Sequence, residues 1–185
     1  MSENLQAFLA SKKDEDEEGG EDVNPEEEVK GDWKAVDLPE VEVKTGEENK
    51  DLIYKGRGKI YRWSDEQWKE RGLGEVKLLR DKDSQKVSFV MRQDNTKKVV
   101  ANFLLEEDPL CTLLPHAGSD KSWLWMAHDF SEGELKRHKF ALRLATAEKS
   151  QEFKKAFDDA KLFNHCIRTG KEVTPAPVIE EAKTE

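Results

Sequence analysis

The sequence predicts a mainly β domain of seven strands that is capped by one C-terminal α-helix and preceded by a disordered acidic arm. Short runs that alternate apolar and polar residues, separated by turn residues, extend from residue 55 to residue 144, and this pattern is typical of an all-β domain. The apolar residues then recur at helical spacing as far as Phe163. Acidic residues are concentrated before residue 33, which sets the arm apart from the domain.

The acidic arm dominates the charge of the 185-residue chain. Eleven acidic residues and one lysine lie between Asp14 and Asp32, a net charge of −10, whereas the whole chain carries −9. A segment with so few apolar residues cannot bury enough surface to offset the ordering of its backbone, so we predict that residues 1–34 are disordered. Such an arm is either a solubilising tail or an element that finds a basic patch on a partner.

The predicted strands lie at residues 59–63, 76–79, 87–92, 97–104, 111–114, 123–129 and 139–144. Turn-forming residues at 81–84 and 93–96 separate the second, third and fourth of them. Two Gly-x-Gly breaks lie at residues 56–58 and 72–74. Because neither has the third glycine or the strand-to-helix setting of a dinucleotide loop, we expect β-bulges or strand ends there.

A helix is predicted after Thr146, which is a suitable N-cap, and before Gly170, which is a suitable C-terminal stop. Its apolar stripe consists of Phe153, Ala156, Phe157, Ala160 and Phe163. We expect this stripe to cover the open end of the β-sandwich or barrel and to protect strand edges. The predicted organisation is therefore an arm at 1–34, a domain at 35–169 and a disordered tail at 170–185.

Several function classes are disfavoured. The four histidines form no zinc-type pair, no nucleophile motif accompanies them, and the chain has no Walker A sequence. We therefore predict neither an enzyme nor a cofactor or metal site. Two distant cysteines favour a reducing compartment, and neither a membrane-spanning run nor a secretory signal is apparent in the sequence. We expect an intracellular protein in the cytoplasm.

Trp68 lies in a run of charged residues that cannot form a core, which indicates an exposed recognition anchor. Basic residues follow on neighbouring predicted strands, and they either form an ordinary solvated face or a groove for an acidic peptide. Nucleic acid is disfavoured, because the arm would repel phosphates and residues 33–170 carry a net charge of only +2. The groove candidates are Arg57, Lys59, Lys69, Arg71, Lys77, Arg92, Lys97 and Lys98.

Several separated motifs over residues 36–168 resemble the Ran-binding domain of the Ran-binding protein 1 type. They are Leu38-Pro39 with Val41-Glu42-Val43-Lys44-Thr45-Gly46-Glu47-Glu48, Lys59-Ile60-Tyr61-Arg62, Trp68-Lys69-Glu70-Arg71-Gly72, Gly74-Glu75-Val76-Lys77, Met91-Arg92, Ala101-Asn102 and Ala117-Gly118-Ser119-Asp120-Lys121-Ser122-Trp123-Leu124-Trp125.

This resemblance implies a pleckstrin-homology-like fold and binding of the GTP form of the small GTPase Ran. It implies that a basic groove embraces Ran's acidic C-terminal tail while the acidic arm contacts a basic patch on Ran. It also implies an accessory role in hydrolysis stimulated by the Ran GTPase-activating protein and in release of Ran from transport receptors. Residues implied to contact Ran are Trp68, Lys69 and Arg71, followed by Arg57, Lys59, Lys77, Arg92 and Asn102.

The resemblance further implies a monomer that resides in the cytoplasm or at the nuclear envelope or pore, or that shuttles to the nucleus. A phosphoinositide-binding role is the alternative, because pleckstrin-like folds also bind such headgroups through basic strand residues. The acidic arm opposes an approach to an anionic membrane, so no membrane partner is expected.

Overall fold

A computed structural model of the chain describes residues 45–179. Seven strands and one helix lie in this range: β1 (Lys50–Ser64), β2 (Gln67–Asp81), β3 (Val87–Gln93), β4 (Val99–Leu104), β5 (Leu114–Pro115), β6 (Ser122–Asp129), β7 (Lys136–Leu144) and α1 (Ala147–Thr169). The predicted disorder of residues 1–34 lies outside the described residues.

The strands form one antiparallel sheet in the order β4-β3-β2-β1-β7-β6-β5. The sheet curves until its β4 edge meets the end of β6. The backbone N–H of Asn102 donates to Oδ1 of the buried Asp129 at 2.7 Å, and the N–H of Phe130 donates to the carbonyl of Asn102 at 2.8 Å. Seven antiparallel strands with one C-terminal helix confirm the predicted fold class.

An aromatic core fills the space between the curved sheet and α1. Phe89 and Phe103 stack with ring centroids 4.7 Å apart, and Trp125 contacts both of them and Phe153 of the helix. Strict alternation along β6 places every second side chain inside, as a half-buried strand requires. Phe153, Phe157 and the other predicted stripe residues face this core, with Ala156 only partly buried.

Helix α1 begins and ends at the residues that the sequence signals predicted. Thr146 Oγ1 accepts a hydrogen bond from the Lys149 N–H at 3.2 Å, and Gly170 adopts the left-handed conformation with φ 68°. One contact that the sequence did not predict joins helix and sheet. The buried Asn164 side chain accepts from the Val87 N–H at 2.7 Å and donates to the carbonyls of Val87 and Leu105 at 2.8 and 2.9 Å.

The glycine breaks differ in part from the prediction. Arg71, next to Gly72, is the extra residue of a bulge, since Ile60 pairs with Gly72 and Tyr61 pairs with Glu70. Glycines 56, 58 and 74, in contrast, lie inside long strands instead of at their ends. The strands continue through them because close backbone approach needs no side chain; a Cβ at position 74 would lie 1.9 Å from the Arg92 carbonyl oxygen.

The segment after α1, which belongs to the predicted tail at 170–185, has no regular secondary structure from residue 171 to Ile179 but contacts the domain. Val173 and Ala176 pack against the core, and the Ile179 N–H donates to the Leu52 carbonyl at 2.7 Å. Apolar residues spaced along a proline-containing segment favour such packing against the core, because prolines reduce the conformational entropy that is lost on docking. Residues 180–185 lie outside the described part of the chain.

Candidate functional site

Two tryptophans face each other at the end of the β1–β2 hairpin. Trp63 pairs with Trp68 across the strands, and their rings meet edge to face with centroids 5.2 Å apart. The connecting turn consists of Asp65 and Glu66, both at positive φ, which suits the right-handed twist of a two-residue hairpin. Trp68 remains 37% exposed. Lys69 follows it and forms an ion pair with Asp65.

Beside this hairpin, two arginines share one carboxylate. Arg71 Nη2 donates to Glu132 Oε1 at 2.7 Å, and Arg62 Nη1 lies 2.9 Å from the same oxygen. Hydrogen bonding from Arg62, with the positive charges of both arginines, lowers the pKa of Glu132 from its ordinary value. The pKa of the nearby His138 is lowered by partial burial and by the charge of Arg62. The cluster therefore holds two permanent cations around one ionised carboxylate.

A second cluster forms where residues 45–48 lie against β2 and β3; we name these four residues the strap. Glu47 Oε1 accepts from Arg92 Nε at 2.7 Å, and Glu47 Oε2 lies 3.4 Å from Lys77 Nζ. Arg92 also donates from Nη2 to the Thr45 carbonyl at 2.9 Å. Two of the predicted site residues, Lys77 and Arg92, therefore already contact the strap.

The remaining predicted residues occupy more open positions or another part of the fold. Arg57 pairs with Asp94 at 2.5 Å, and Lys59 pairs with Glu70 at 3.1 Å. Asn102 lies on β4, where the hydrogen bonds described above engage its backbone groups in sheet closure. All six predicted cations of the site therefore have a carboxylate partner among residues 45–179: Lys69, Arg71, Arg57, Lys59, Lys77 and Arg92.

Three functional candidates were missed at the level of sequence: Glu47, Arg62 and Glu132. Glu47 and Arg62 belong to the motifs quoted above, so the motif positions themselves were a usable signal. Glu132 carried no local signal, because its partner Arg71 is 61 residues away in the chain. Only the pairing of β1 with β2 and with β7 brings Arg62, Arg71 and Glu132 together.

An apolar groove begins at Trp68 and runs along β5 and β6. Its volume is about 680 Å³, and Pro109, Leu114, Leu124 and Met126 contribute to its walls. Leu114 is 58% exposed there. An aromatic ring at the edge of an open apolar groove, with charged residues around it, is typical of a surface that binds protein.

The described residues offer little for metal chemistry or membrane insertion. No group of three or more His, Cys, Asp or Glu side chains within residues 45–179 could hold a metal ion. Over the same range, α1 is too polar to cross a bilayer, and no other helix is present.

Residues 42–163 match the RanBP1 domain family. The chain belongs to this family. It is 43% identical over 147 residues to Ran-binding protein 1 homolog c of Arabidopsis thaliana, a match that covers 78% of this chain and 62% of that protein. It is 41% identical over 145 residues to the human E3 SUMO-protein ligase RanBP2, where the match covers 76% of this chain but 4% of the relative.

A solved structure supports the fold of this RanBP1 domain. The Ran-binding domain of the nuclear complex component Nup2 from Ashbya gossypii aligns with a TM-score of 0.53 and 22% identity. The alignment covers 63% of this chain and 99% of that structure. The chain thus contains a whole domain of this fold, while it spans less than two thirds of the length of the curated relatives described above.

Proposed function

We propose that this RanBP1 domain binds the small GTPase Ran in its GTP form and acts as an accessory factor in nuclear transport. The observation that carries the proposal is the exposed Trp63–Trp68 pair, flanked by Lys69 and Arg71, in a chain of this family. A rigid aromatic pair beside an apolar groove supplies the buried anchor of an interface, and the surrounding charges supply its specificity.

Ran's acidic C-terminal tail would bind along the cations of β1 and β2, with Arg57, Lys59 and Lys69 as its most accessible contacts. Their present partners Asp94, Glu70 and Asp65 lie on the surface. Exposed ion pairs contribute little stability, so exchanging these carboxylates for those of a multivalent tail is inexpensive. On binding, the tail would exchange contacts within Ran for charge-assisted contacts with this domain. Only the GTP form of Ran would present the remaining surface that contacts the domain.

The acidic arm at residues 1–34 would contact a basic patch on Ran and accelerate encounter by long-range attraction. Binding would assist hydrolysis stimulated by the Ran GTPase-activating protein and would release Ran from transport receptors. The domain itself supplies no catalytic group in this scheme. We place the protein as a monomer in the cytoplasm or at the nuclear envelope or pore, or shuttling to the nucleus.

Calorimetric titration of the full chain with Ran tests the proposal. We expect binding to Ran loaded with a non-hydrolysable GTP analogue and at least tenfold weaker binding to Ran-GDP, a difference of about 1.4 kcal/mol or more. Circular dichroism establishes that the protein is folded in the same buffer. Equal affinity for the two nucleotide forms would overturn the proposal.

Sedimentation with vesicles tests the phosphoinositide alternative separately. Vesicles that contain a phosphoinositide and matched vesicles that lack it are mixed with the chain at low ionic strength. We expect no sedimentation with either, since the net charge of −9 opposes an anionic surface. Selective sedimentation with the phosphoinositide vesicles, together with no difference between the two forms of Ran, would favour the alternative.

A further inference from the structure

Each of the three guanidinium nitrogens of Arg92 already donates a hydrogen bond inside the chain. Its Nε donates to Glu47 Oε1 at 2.7 Å, its Nη2 donates to the Thr45 carbonyl at 2.9 Å, and its Nη1 donates to the Lys97 carbonyl at 3.2 Å. Arg57 is more accessible than Arg92. The Arg57 side chain is 68% exposed and pairs with Asp94, whereas the Arg92 side chain is 29% exposed. The two arginines, both predicted to contact a partner, are therefore in different situations.

The Glu47 carboxylate, which pairs with Arg92, is itself shielded from solvent. The Glu47 side chain is only 15% exposed, and Lys77, on its other side, is 18% exposed. Charges in this environment are screened less by salt than surface pairs are. Removing the Glu47 charge takes from Arg92 its carboxylate partner, whereas Lys77 keeps Glu75 at 3.4 Å; leaving a partly desolvated guanidinium without its counter-charge is costly. The Glu47 contacts are therefore suited to holding a segment in place.

The conformation of the strap presents two acceptors to one guanidinium. Gly46 lies between Thr45 and Glu47 with φ 78°, a left-handed conformation that favours glycine. Thr45 Oγ1 accepts from the Glu47 N–H at 3.3 Å, and Glu48 Oε1 accepts from the Thr45 N–H at 2.6 Å. This closed turn directs the Thr45 carbonyl and the Glu47 carboxylate toward Arg92. The strap is thus preorganised to bind that side chain.

We propose that Arg92 and Lys77 are positioning residues that anchor the strap, and through it the acidic arm, instead of contacting the partner directly. The strap lies thirteen residues after Asp32, the last member of the acidic run. A tethered charged segment has a high effective concentration only where its tether allows it to reach the matching patch. The inference rests on the proposed binding of Ran.

The test combines strap variants with a charge-neutralised arm in the full-length chain. Glu47→Gln removes the anchor charge. Glu48→Gln is the matched control, because it removes one charge from the strap while its amide oxygen can still accept the hydrogen bonds from Thr45 that close the turn. Each is made in the natural chain and in a chain whose eleven acidic residues at positions 14–32 are replaced by Asn and Gln. Affinity and association rate for Ran-GTP are measured at two salt concentrations. Hydrogen exchange over residues 45–50 reports strap release without Ran.

We expect Glu47→Gln to accelerate hydrogen exchange in the strap and to weaken Ran-GTP binding about fivefold in the natural chain, with a shallower salt dependence of the association rate. In the arm-neutralised chain it should change affinity less than about 1.5-fold, because coupled sites are not additive. Arg92→Gln and Lys77→Gln should behave in the same way, whereas Arg57→Gln should weaken binding in both chains.

Three results would overturn the inference: an equal loss in both chains, no loss in either, or tighter binding by Glu47→Gln. The last would mean that Glu47 competes with the partner for Arg92. Failure of the proposed function has a different signature, since the unmodified chain would then not distinguish Ran-GTP from Ran-GDP. The exchange measurement would still report whether Glu47 holds the strap in that case.

Discussion

Trp63 and Trp68 occupy directly opposed positions across β1 and β2, with ring planes at 72° to each other. Each ring restricts the other, so the pair is a preformed surface feature on a two-residue hairpin. An anchor that is already ordered loses less conformational entropy when it is buried by a partner. This relationship explains how exposed tryptophan can be compatible with a well-ordered hairpin end, and it makes Trp68 the most direct target for mutation.

Trp68→Ala should weaken Ran-GTP binding at least tenfold, since truncation of a central aromatic anchor costs about 2 kcal/mol or more. The free energy of unfolding should fall by only about 1 kcal/mol, because the edge-to-face contact with Trp63 is lost but the ring is already partly solvated. Isothermal titration calorimetry measures the affinity, and urea unfolding measures the stability. Leu162→Ala is the control, as Leu162 is an exposed apolar residue on the outer face of α1. Unchanged affinity with an intact fold would remove Trp68 from the interface.

Glu132→Gln should lower the free energy of unfolding near neutral pH by releasing Arg62 and Arg71 from their shared carboxylate. The pKa of Glu132 is lowered in the folded state below its ordinary value of 4.5. The difference between wild type and variant is therefore fully present above pH 4.5 and shrinks as the pH falls through the folded-state pKa. Urea unfolding at a series of pH values measures it.

The matched control for this prediction is Glu134→Gln in the same turn. Glu134 pairs with Lys136 at 2.6 Å and is the more exposed of the two glutamates. Its replacement should change stability less at every pH, because exposed pairs are screened by solvent. A difference between wild type and Glu132→Gln that persists unchanged in acid would show that the charge of Glu132 is not the cause.

Asn164→Leu should destabilise the domain by about 3 kcal/mol, because the Val87 N–H loses its acceptor and the Leu105 carbonyl loses its Asn164 donor, while the Val87 carbonyl keeps the Leu105 N–H. Asn164→Asp keeps the acceptor for the Val87 N–H but loses the donor, and it introduces a buried charge, so it should be no less destabilising. Gln151→Ala on the exposed face of α1 is the control. Unfolding monitored by tryptophan fluorescence checks the order of the three variants.

Gly74→Ala should destabilise the domain by about 3 kcal/mol, because the added Cβ would overlap the Arg92 backbone and force β2 from β3. Gly133→Ala is the comparison, since nothing lies within 4 Å of a Cβ there. That variant should cost only about 1 kcal/mol, from its positive φ. Thermal unfolding of both variants decides the point, and equal costs would contradict the steric explanation.

Local signals accounted for the elements whose neighbours in sequence determine them. The cap at Thr146, the stop at Gly170 and the exposure of Trp68 all follow from adjacent residues, and each agrees with the structure. The full length of β1 was not predicted, because strand pairing keeps its glycines extended: Gly56 pairs with β2, and Gly58 pairs with both β2 and β7. The contacts of Val173 and Ala176 with the core had no local signal either, since they depend on a core surface built from distant strands.

The residues of the candidate site also fall into those that local signals could identify and those that they could not. Its cations and its tryptophan were recognisable by residue type and motif, whereas their carboxylate partners were not. Arg71 meets Glu132, and Arg92 meets Glu47, across separations of 61 and 45 residues. Whether a cation is available to a partner depends on such pairs, so the sequence could name the basic residues without distinguishing Arg57 from Arg92.

The sequence by itself determined the charge division of the chain, the alternation of its strands and the placing of Trp68 among charged residues, because these depend on composition and short-range spacing. Only the tertiary structure decided which charges neutralise one another. Coulomb interactions and hydrogen bonds act over a few ångströms of space, and strand pairing brings residues within that range regardless of their distance along the chain.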